Sequence, residues 1–158
     1  MPEAPTLGRR GGGWVVLQLA LMGAIGLAAA LGPRWPSSMA TALALAGAAV
    51  GLVGIVVGLA AGRALGRSLT PFPRPRQAAE LVERGPYRVV RHPLYSAGLL
   101  LGAGISLASS PLALAATVAL ALLWAAKASV EERFLRERYP GYAAYARRVR
   151  WRLVPYVY

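Results

Sequence analysis

The sequence RGPYRVVRHPLY occupies residues 84–95 and marks the point where a basic, proline-rich stretch gives way to an apolar one. It contains His92, the single histidine of the chain. His92-Pro93 is typical of a helix start, because proline is well accommodated at the first helical position. The apolar residues that follow predict a helix that enters a membrane at this point.

A second apolar helix is predicted directly after it, starting at Ser110-Pro111. No helix breaker interrupts residues 111–139, which gives a length of about 43 Å at 1.5 Å per residue. The hydrocarbon core of a bilayer is only about 30 Å thick. The last turns should therefore leave the membrane and carry Glu131 and Glu132 to its surface.

The short link between these two helices makes them antiparallel neighbours. The start of the first and the end of the second should then meet at the same membrane surface. We therefore expect Arg91, His92 and Tyr95 to approach Lys127, Glu131 and Glu132.

The composition predicts an all-α integral membrane protein, because 56% of the 158 residues are hydrophobic. A single domain is expected at this length. Four transmembrane helices are predicted at about residues 14–31, 39–61, 93–109 and 111–130. Residues 131–158 are predicted to form a C-terminal cytosolic segment.

The number of basic residues alternates between high and low from one link to the next. Residues 63–91 contain seven, and the 109–110 link contains none. This alternation predicts that both termini and the pocket lie on the cytosolic side. A cleaved signal peptide is the rival reading of Arg9-Arg10 and the first apolar run. The net charge of +12 is explained by this membrane topology and by anionic lipids. We therefore expect no nucleic-acid partner.

The chain has no cysteine and one histidine, so thiolate chemistry is excluded and no metal site is expected. Glycines 47, 51, 54, 58, 62 and 66 recur along the second helix and predict close helix packing, which permits a homodimer through this face. The prolines at 71, 73 and 75 predict an extended surface segment. A short helix is expected at residues 77–84.

The expected cluster would suit a ligand of mixed charge. A helix start with Arg91 and His92 favours a carboxylate or phosphate, whereas Glu131 and Glu132 favour an ammonium, a sulfonium or ribose hydroxyls. S-adenosylmethionine carries such groups together. A phospholipid headgroup would satisfy the same residues, and so would a salt bridge within the protein. Arg91 as a positive-inside anchor and His92 as a helix cap are the structural alternatives.

The motif GPYRVVRHPLY and the later EERFLRERYPGYAAYARRVRWRLVP resemble the isoprenylcysteine carboxyl methyltransferase family, part of the broader phospholipid-methyltransferase-like membrane enzymes. The resemblance covers about residues 69–155. Ala97 departs from it, because glycine is common there. The resemblance implies a membrane methyltransferase that uses S-adenosylmethionine. Its implied cofactor-binding residues are Tyr87, His92, Pro93, Tyr95, Glu131, Glu132, Tyr142 and Tyr145.

Arg91 and His92 are the candidate catalytic residues. Methyl transfer from a sulfonium needs alignment above all. An amine acceptor would also need a base, for which His92 is the candidate. An anionic acceptor would need a cationic guide, for which Arg91 and Arg148 are candidates. We expect a lipophilic carboxylate, thiol or amine acceptor, membrane lipids as partners, and a bacterial inner (plasma) membrane location.

Two other functions fit the sequence less well. NADPH-dependent sterol-type membrane reductases share an arginine-plus-tyrosine turn, but they usually carry asparagine where this chain has Leu94. A non-catalytic helical membrane scaffold would bind no nucleotide, and its properties would not change in His92→Ala.

Overall fold

The computed structural model describes residues 11–75 and 79–157, and these residues are mainly helical. The helices are α1 (Gly12–Leu31), α2 (Ser37–Leu65), α3 (Pro93–Ser109), α4 (Pro111–Arg138) and α5 (Tyr142–Arg148). Short 3₁₀ turns occupy Gly66–Ser68 and Gly85–Arg88. The all-α prediction is confirmed, and α1 to α4 lie where the four spans were predicted. α2 extends beyond the predicted residues 39–61 at both ends.

Three of the helices, α1, α2 and α4, are long and apolar enough to cross a membrane. α3 is apolar but has only 17 residues, as its short apolar run predicted. Leucine, isoleucine and valine side chains project outward from α1 and α2, for example Leu27 and Leu45. Large apolar side chains are stable in such positions when lipid surrounds them. The helices therefore point to an integral membrane protein.

The four long helices pack in the order α2, α3, α4, α1, and α1 also contacts α3. Ser110 forms the link between α3 and α4, and its hydroxyl accepts a hydrogen bond from the Leu112 amide at 3.2 Å. This cap and Pro111 start α4 as predicted. α4 then runs for 28 residues, or about 42 Å. We call the end of the bundle where α3 begins the site end, and the end with Ser110 the closed end.

The glycines of α2 allow it to approach α3 closely. A Cβ atom at Gly47 would lie 2.5 Å from the Gly104 carbonyl oxygen, and one at Gly54 would lie 2.9 Å from the Leu101 amide nitrogen. Gly62 has no such neighbour within 4 Å. The predicted packing role is thus confirmed for the glycines nearer the closed end, within one chain. A homodimer through the remainder of this face stays a prediction.

Small, neutral polar groups fill the closed end. Ser106 and Ser110 are fully buried, and Thr117 is nearly so. The Ser106 hydroxyl lies 2.6 Å from the Gly102 carbonyl and 3.0 Å from the Thr117 hydroxyl. The indole N–H of Trp35 donates to the Ser106 carbonyl at 3.0 Å. Each of these groups has a partner inside the bundle.

The short helix predicted at residues 77–84 is wrong for residues 79–84, which are irregular; residues 77–78 lie outside the described part. Hydrogen bonds to other segments hold residues 79–84 in this irregular conformation. The Glu80 amide donates to the Ser68 hydroxyl at 3.2 Å, and the Ala79 carbonyl accepts from the Tyr139 hydroxyl at 2.5 Å. Side-chain partners of this kind compete with helical backbone bonds.

The predicted surface course of the proline segment holds only in part. Pro73 is fully buried, and a Cβ at Gly11 would lie 2.8 Å from its ring. The segment therefore packs on the start of α1 at the site end.

Candidate functional site

Glu132 is the centre of a charged cluster at the site end, and it has no solvent exposure. Its Oε1 lies 2.8 Å from Arg91 Nε, 3.3 Å from His92 Nε2 and 3.3 Å from Arg152 Nε. Its Oε2 lies 3.4 Å from an Arg136 nitrogen. A buried carboxylate is stable only when cations and donors compensate its lost hydration. Glu132 is therefore held as an ion by the protein itself.

Arg91 is likewise fully engaged. Besides Glu132, its NH1 donates to the backbone carbonyls of Val149 and Arg150, each at 2.9 Å, and it lies 3.5 Å from that of Ala146. An arginine with so many acceptors is fixed in place. Its geometry fits a positioning residue, which ties the start of α3 to α4 and to the C-terminal residues.

Residues 149–153 form a segment that we call the C-terminal clamp. The amides of Arg91 and His92 donate to the carbonyls of Trp151 and Arg152, both at 2.9 Å. The Ser96 hydroxyl, one turn into α3, donates to the Leu153 carbonyl. Leu153 itself is buried in the apolar core of the bundle. Part of the predicted C-terminal cytosolic segment therefore returns to the helices and completes the site.

Glu131 lies beside this cluster in a different environment. Its Oε2 accepts a hydrogen bond from the Tyr95 hydroxyl at 2.8 Å and lies 3.8 Å from His92 Nδ1. Its side chain keeps 24% exposure, and it lines a pocket. The Tyr95 ring stacks between His92 and Trp124, with ring centroids at 5.4 and 5.1 Å. This stack holds the phenol so that it points at Glu131.

Lys127 also contacts the Tyr95 ring. Its ammonium lies 5.5 Å from the centroid of Tyr95 and donates to the Gln18 side chain at 2.6 Å and to the Pro71 carbonyl at 2.8 Å. Lys127 thus joins α1, α4 and the proline segment. The predicted approach of Arg91, His92 and Tyr95 to Lys127, Glu131 and Glu132 is confirmed.

A pocket opens beside Glu131 with about 760 Å³ of empty space, counted to its open mouth. Its lining of aromatic and apolar side chains with a few polar groups is typical of small-molecule sites. Seven of the sequence-predicted site residues line it: Tyr87, Arg91, His92, Tyr95, Glu131, Tyr142 and Tyr145. Pro93 and Glu132 are buried behind the wall instead.

The tyrosines of the pocket are neutral hydrogen-bonding groups. Burial, reinforced by nearby carboxylates, raises the pKa of Tyr87, Tyr142 and Tyr145 well above the ordinary value. The Tyr145 hydroxyl donates to the Tyr87 carbonyl at 2.8 Å. The buried Tyr142 hydroxyl, by contrast, has no hydrogen-bond partner among the described residues. Buried polar groups normally have one, and Tyr142 lines the pocket although its hydroxyl is closed off from the surface.

Several pocket residues were not singled out from the sequence. They come mainly from the α2–α3 connection, and they include Ser68, Thr70, Pro75, Glu80, Leu81 and Val82. Irregular segments carry no periodic signal, which is why sequence reasoning did not find them. The Arg152 contact with Glu132 was also missed. Arg148, proposed as a guide for an anionic acceptor, pairs with Glu83 and does not line the pocket.

Within residues 11–75 and 79–157 there is no group of three or more side chains arranged to hold a metal ion. The expectation that the site works without a metal stays a prediction. What the arrangement offers is a carboxylate, an imidazole and an unpartnered phenol around a largely apolar space.

The fold and the site define a class: a small helical membrane protein with a tyrosine-lined pocket at the site end of its helix bundle. A family model described as phospholipid methyltransferase matches residues 42–141, which is more than half of the chain. The protein therefore belongs to the phospholipid methyltransferase family. The resemblance seen in the sequence is confirmed at this level, and membrane methyl transfer is the general activity that the family implies.

Two curated relatives match a shorter stretch of 75 residues. The cobalt-zinc-cadmium resistance protein CzcN of Cupriavidus metallidurans is 43% identical over it, and the nickel-cobalt-cadmium resistance protein NccN of Alcaligenes xylosoxydans xylosoxydans is 37% identical. In both cases the match covers 46% of this chain and 35% of the relative. The chain thus matches about a third of the length of these relatives. Their names denote resistance and specify no reaction.

Proposed function

We propose that the protein is an S-adenosylmethionine-dependent methyltransferase that methylates a lipophilic acceptor at the cytosolic membrane interface. One observation carries this proposal beyond the family assignment. Glu131 and the unpartnered Tyr142 hydroxyl belong to one tyrosine-rich pocket at the membrane-entry end of α3.

The charge balance of the pocket favours a cationic ligand. Its charged or titratable lining residues, apart from tyrosines, are Glu80, Arg91, His92 and Glu131. Two of these residues are carboxylates and one is a guanidinium, and Arg91 is turned toward Glu132 at 2.8 Å. Glu131, which faces the pocket, would be compensated by a sulfonium or an ammonium group.

The aromatic walls favour the same ligand. A methylsulfonium is a cation with an apolar surface, and such cations bind well against the faces of aromatic rings. Tyr87, Tyr139, Tyr142 and Tyr145 supply four rings around the space. We assign the cofactor's ammonium to Glu131 and a ribose or amino-acid oxygen to the Tyr142 hydroxyl. At the start of α3 the amides of His92, Tyr95 and Ser96 already donate to backbone carbonyls, which leaves the Leu94 amide to take the carboxylate end.

In the proposed reaction, a lone pair of the acceptor forms a bond to the methyl carbon while the carbon–sulfur bond breaks. The electron pair stays on sulfur, which gives S-adenosylhomocysteine and the methylated acceptor. A carboxylate or thiolate needs no base. For an amine, His92 accepts the released proton, and Glu131 and Glu132 at 3.8 and 3.3 Å stabilise the imidazolium. Arg91 acts by positioning rather than by contact with the methyl group.

The position of the pocket supports a lipophilic acceptor. Leu65 at the end of α2 and Leu94 at the start of α3 both line it. These residues lie at the level where apolar helices leave the bilayer, so an acceptor anchored in lipid would reach the pocket sideways. A water-soluble acceptor would have no need of such a site.

The test is incubation of purified protein with methyl-labelled S-adenosylmethionine and a membrane lipid extract, followed by identification of the labelled product. We expect label in a lipid-soluble product with the wild type and much less with His92→Ala, which removes the ring stacked on Tyr95. Arg147→Gln, an exposed change outside the pocket, serves as the control and should retain activity. Label appearing only in water-soluble acceptors would overturn the lipophilic part of the proposal.

The charges that line the pocket also distinguish the methyltransferase from the NADPH-dependent reductase alternative. NADPH carries several phosphate charges, and the one arginine of the pocket lining, Arg91, is already bonded to Glu132. Calorimetric titration should show binding of S-adenosylmethionine and none of NADPH. The scaffold alternative leaves the buried, unpartnered Tyr142 hydroxyl without an explanation. It would be supported if neither nucleotide bound.

A further inference from the structure

A second groove lies on the outer side of the C-terminal clamp, away from the pocket. It is lined by Arg88, Val89, Arg148, Val149, Arg150, Trp151, Pro155 and Tyr156. Three of these residues are arginines, and none is acidic. We propose that this groove binds the headgroup of an anionic phospholipid and that the bound lipid holds the C-terminal clamp against the site.

The arginines of the groove carry positive charge that the protein only partly compensates. Arg148 pairs with Glu83, but Arg88 and Arg150 make no ion pair with a carboxylate in the described part of the chain. Two uncompensated guanidinium groups in one groove suit a phosphate, which arginine binds through several donors at once. The basic groove therefore complements an anion.

The C-terminal clamp lies beside the first turns of α3. The Leu153 carbonyl is bonded to Ser96, one turn inside α3, and the Leu153 side chain lies in the bundle core. The clamp therefore sits where α3 enters the apolar layer. A groove at this level faces lipid headgroups rather than bulk water.

Exposed apolar side chains lie at the groove and next to it. Val89 and Tyr156 line it, and the exposed Val154 and Val157 flank the groove residues Pro155 and Tyr156 in sequence, with Tyr156 85% exposed and Val157 77% exposed. The Trp151 and Tyr156 rings contact each other at 5.5 Å. Exposed valines and aromatic rings next to arginines are typical of a protein surface that sits in the membrane interface. A soluble anion would not require the apolar part, so we assign the groove to a lipid.

The groove is coupled to the site through the backbone. Arg150 and Trp151 line the groove with their side chains, whereas their carbonyls accept hydrogen bonds from the Arg91 side chain and the Arg91 amide, each at 2.9 Å. A lipid that fixes these two residues also fixes the partners of Arg91. Anionic lipid should therefore tighten the site without touching the pocket.

The binding test uses nanodiscs of phosphatidylcholine that contain either spin-labelled phosphatidylglycerol or spin-labelled phosphatidylcholine, with the quenching of Trp151 fluorescence as the readout. The Trp151→Phe variant supplies the signal of the other tryptophans for subtraction. We expect several-fold stronger quenching by the anionic lipid, and loss of this preference in the double variant Arg88→Gln/Arg150→Gln. The control Arg147→Gln removes one exposed charge of the same surface outside the groove and should keep the preference.

Equal quenching by the two lipids in the wild type would overturn the proposal. So would an equal loss of preference in Arg147→Gln and the double variant, because that would indicate general surface charge. Hydrogen exchange tests the coupling independently of any enzymatic activity. The amides of Arg91 and His92 should exchange several-fold more slowly with phosphatidylglycerol present in the wild type, but not in the double variant. Exchange that does not respond to the lipid would overturn the coupling.

Discussion

The two ends of the helix bundle use polar residues in different ways. At the closed end, Ser106 and Thr117 satisfy their hydroxyls within the bundle and leave none unused. At the site end, groups from α3, α4 and the C-terminal clamp converge, yet Glu131 stays partly exposed and the Tyr142 hydroxyl has no partner among the described residues. Satisfied polar groups at the closed end thus indicate packing, whereas incompletely satisfied ones beside the pocket at the site end indicate a ligand.

The largest effect should come from Glu132. Glu132→Gln leaves Arg91, Arg152 and His92 without their common anion, and breaking a buried ion pair costs about 3–5 kcal/mol. Thermal unfolding in detergent should therefore show a strong loss of stability. Glu137→Gln, an exposed change on the same helix, is the control. If Glu132→Gln were as stable as the wild type, the charged cluster would not organise the site end.

The glycines of α2 should give the next effect. Gly47→Ala places a Cβ 2.5 Å from the backbone oxygen of Gly104, and overpacking of this kind costs about 1–3 kcal/mol. Gly62→Ala meets nothing within 4 Å and should stabilise α2 slightly, because alanine is the better helix former. Denaturant or thermal unfolding of the pair measures the difference. Equal stability would mean that α2 and α3 are not in close contact.

Tyr142→Phe should weaken ligand binding rather than stability. Its hydroxyl has no partner in the described protein to lose, whereas a hydrogen bond to a ligand contributes about 0.5–1.5 kcal/mol. Titration should show S-adenosylmethionine binding weakened by roughly threefold to tenfold. Tyr145→Phe is the matched comparison, because it breaks the 2.8 Å bond to the Tyr87 carbonyl and should lower stability. Unchanged affinity in Tyr142→Phe would contradict the role of this hydroxyl.

The smallest effect should be at the closed end. Ser106→Ala removes the hydrogen bonds to the Gly102 carbonyl and to Thr117, for a cost of about 1 kcal/mol. The affinity for S-adenosylmethionine should not change. A clear loss of affinity would show that the two ends are coupled, which this account does not expect.

Much of the fold could be predicted because hydropathy and helix-start signals act locally. Ser110-Pro111 and the apolar runs were sufficient to place α3 beside α4 and to bring His92 to Glu131 and Glu132. The C-terminal clamp could not be predicted, since the carbonyls of Arg152 and Leu153 accept hydrogen bonds from the His92 amide and the Ser96 hydroxyl, about sixty positions earlier. The different environments of Glu131 and Glu132 could not be predicted from the sequence either. The two residues are adjacent in sequence, and only tertiary packing decides which one is surrounded by arginines.

The most direct measurement of the central claim is calorimetric titration of S-adenosylmethionine into purified wild type, Glu131→Gln and Glu137→Gln. The two variants each remove one negative charge from the end of α4, but only Glu131 lines the pocket. A hydrogen bond to a charged group contributes about 1.5–3 kcal/mol. We therefore expect binding to the wild type and to Glu137→Gln, and a loss of affinity of about tenfold or more in Glu131→Gln. Equal affinity for all three proteins, or no binding to the wild type, would contradict the central claim.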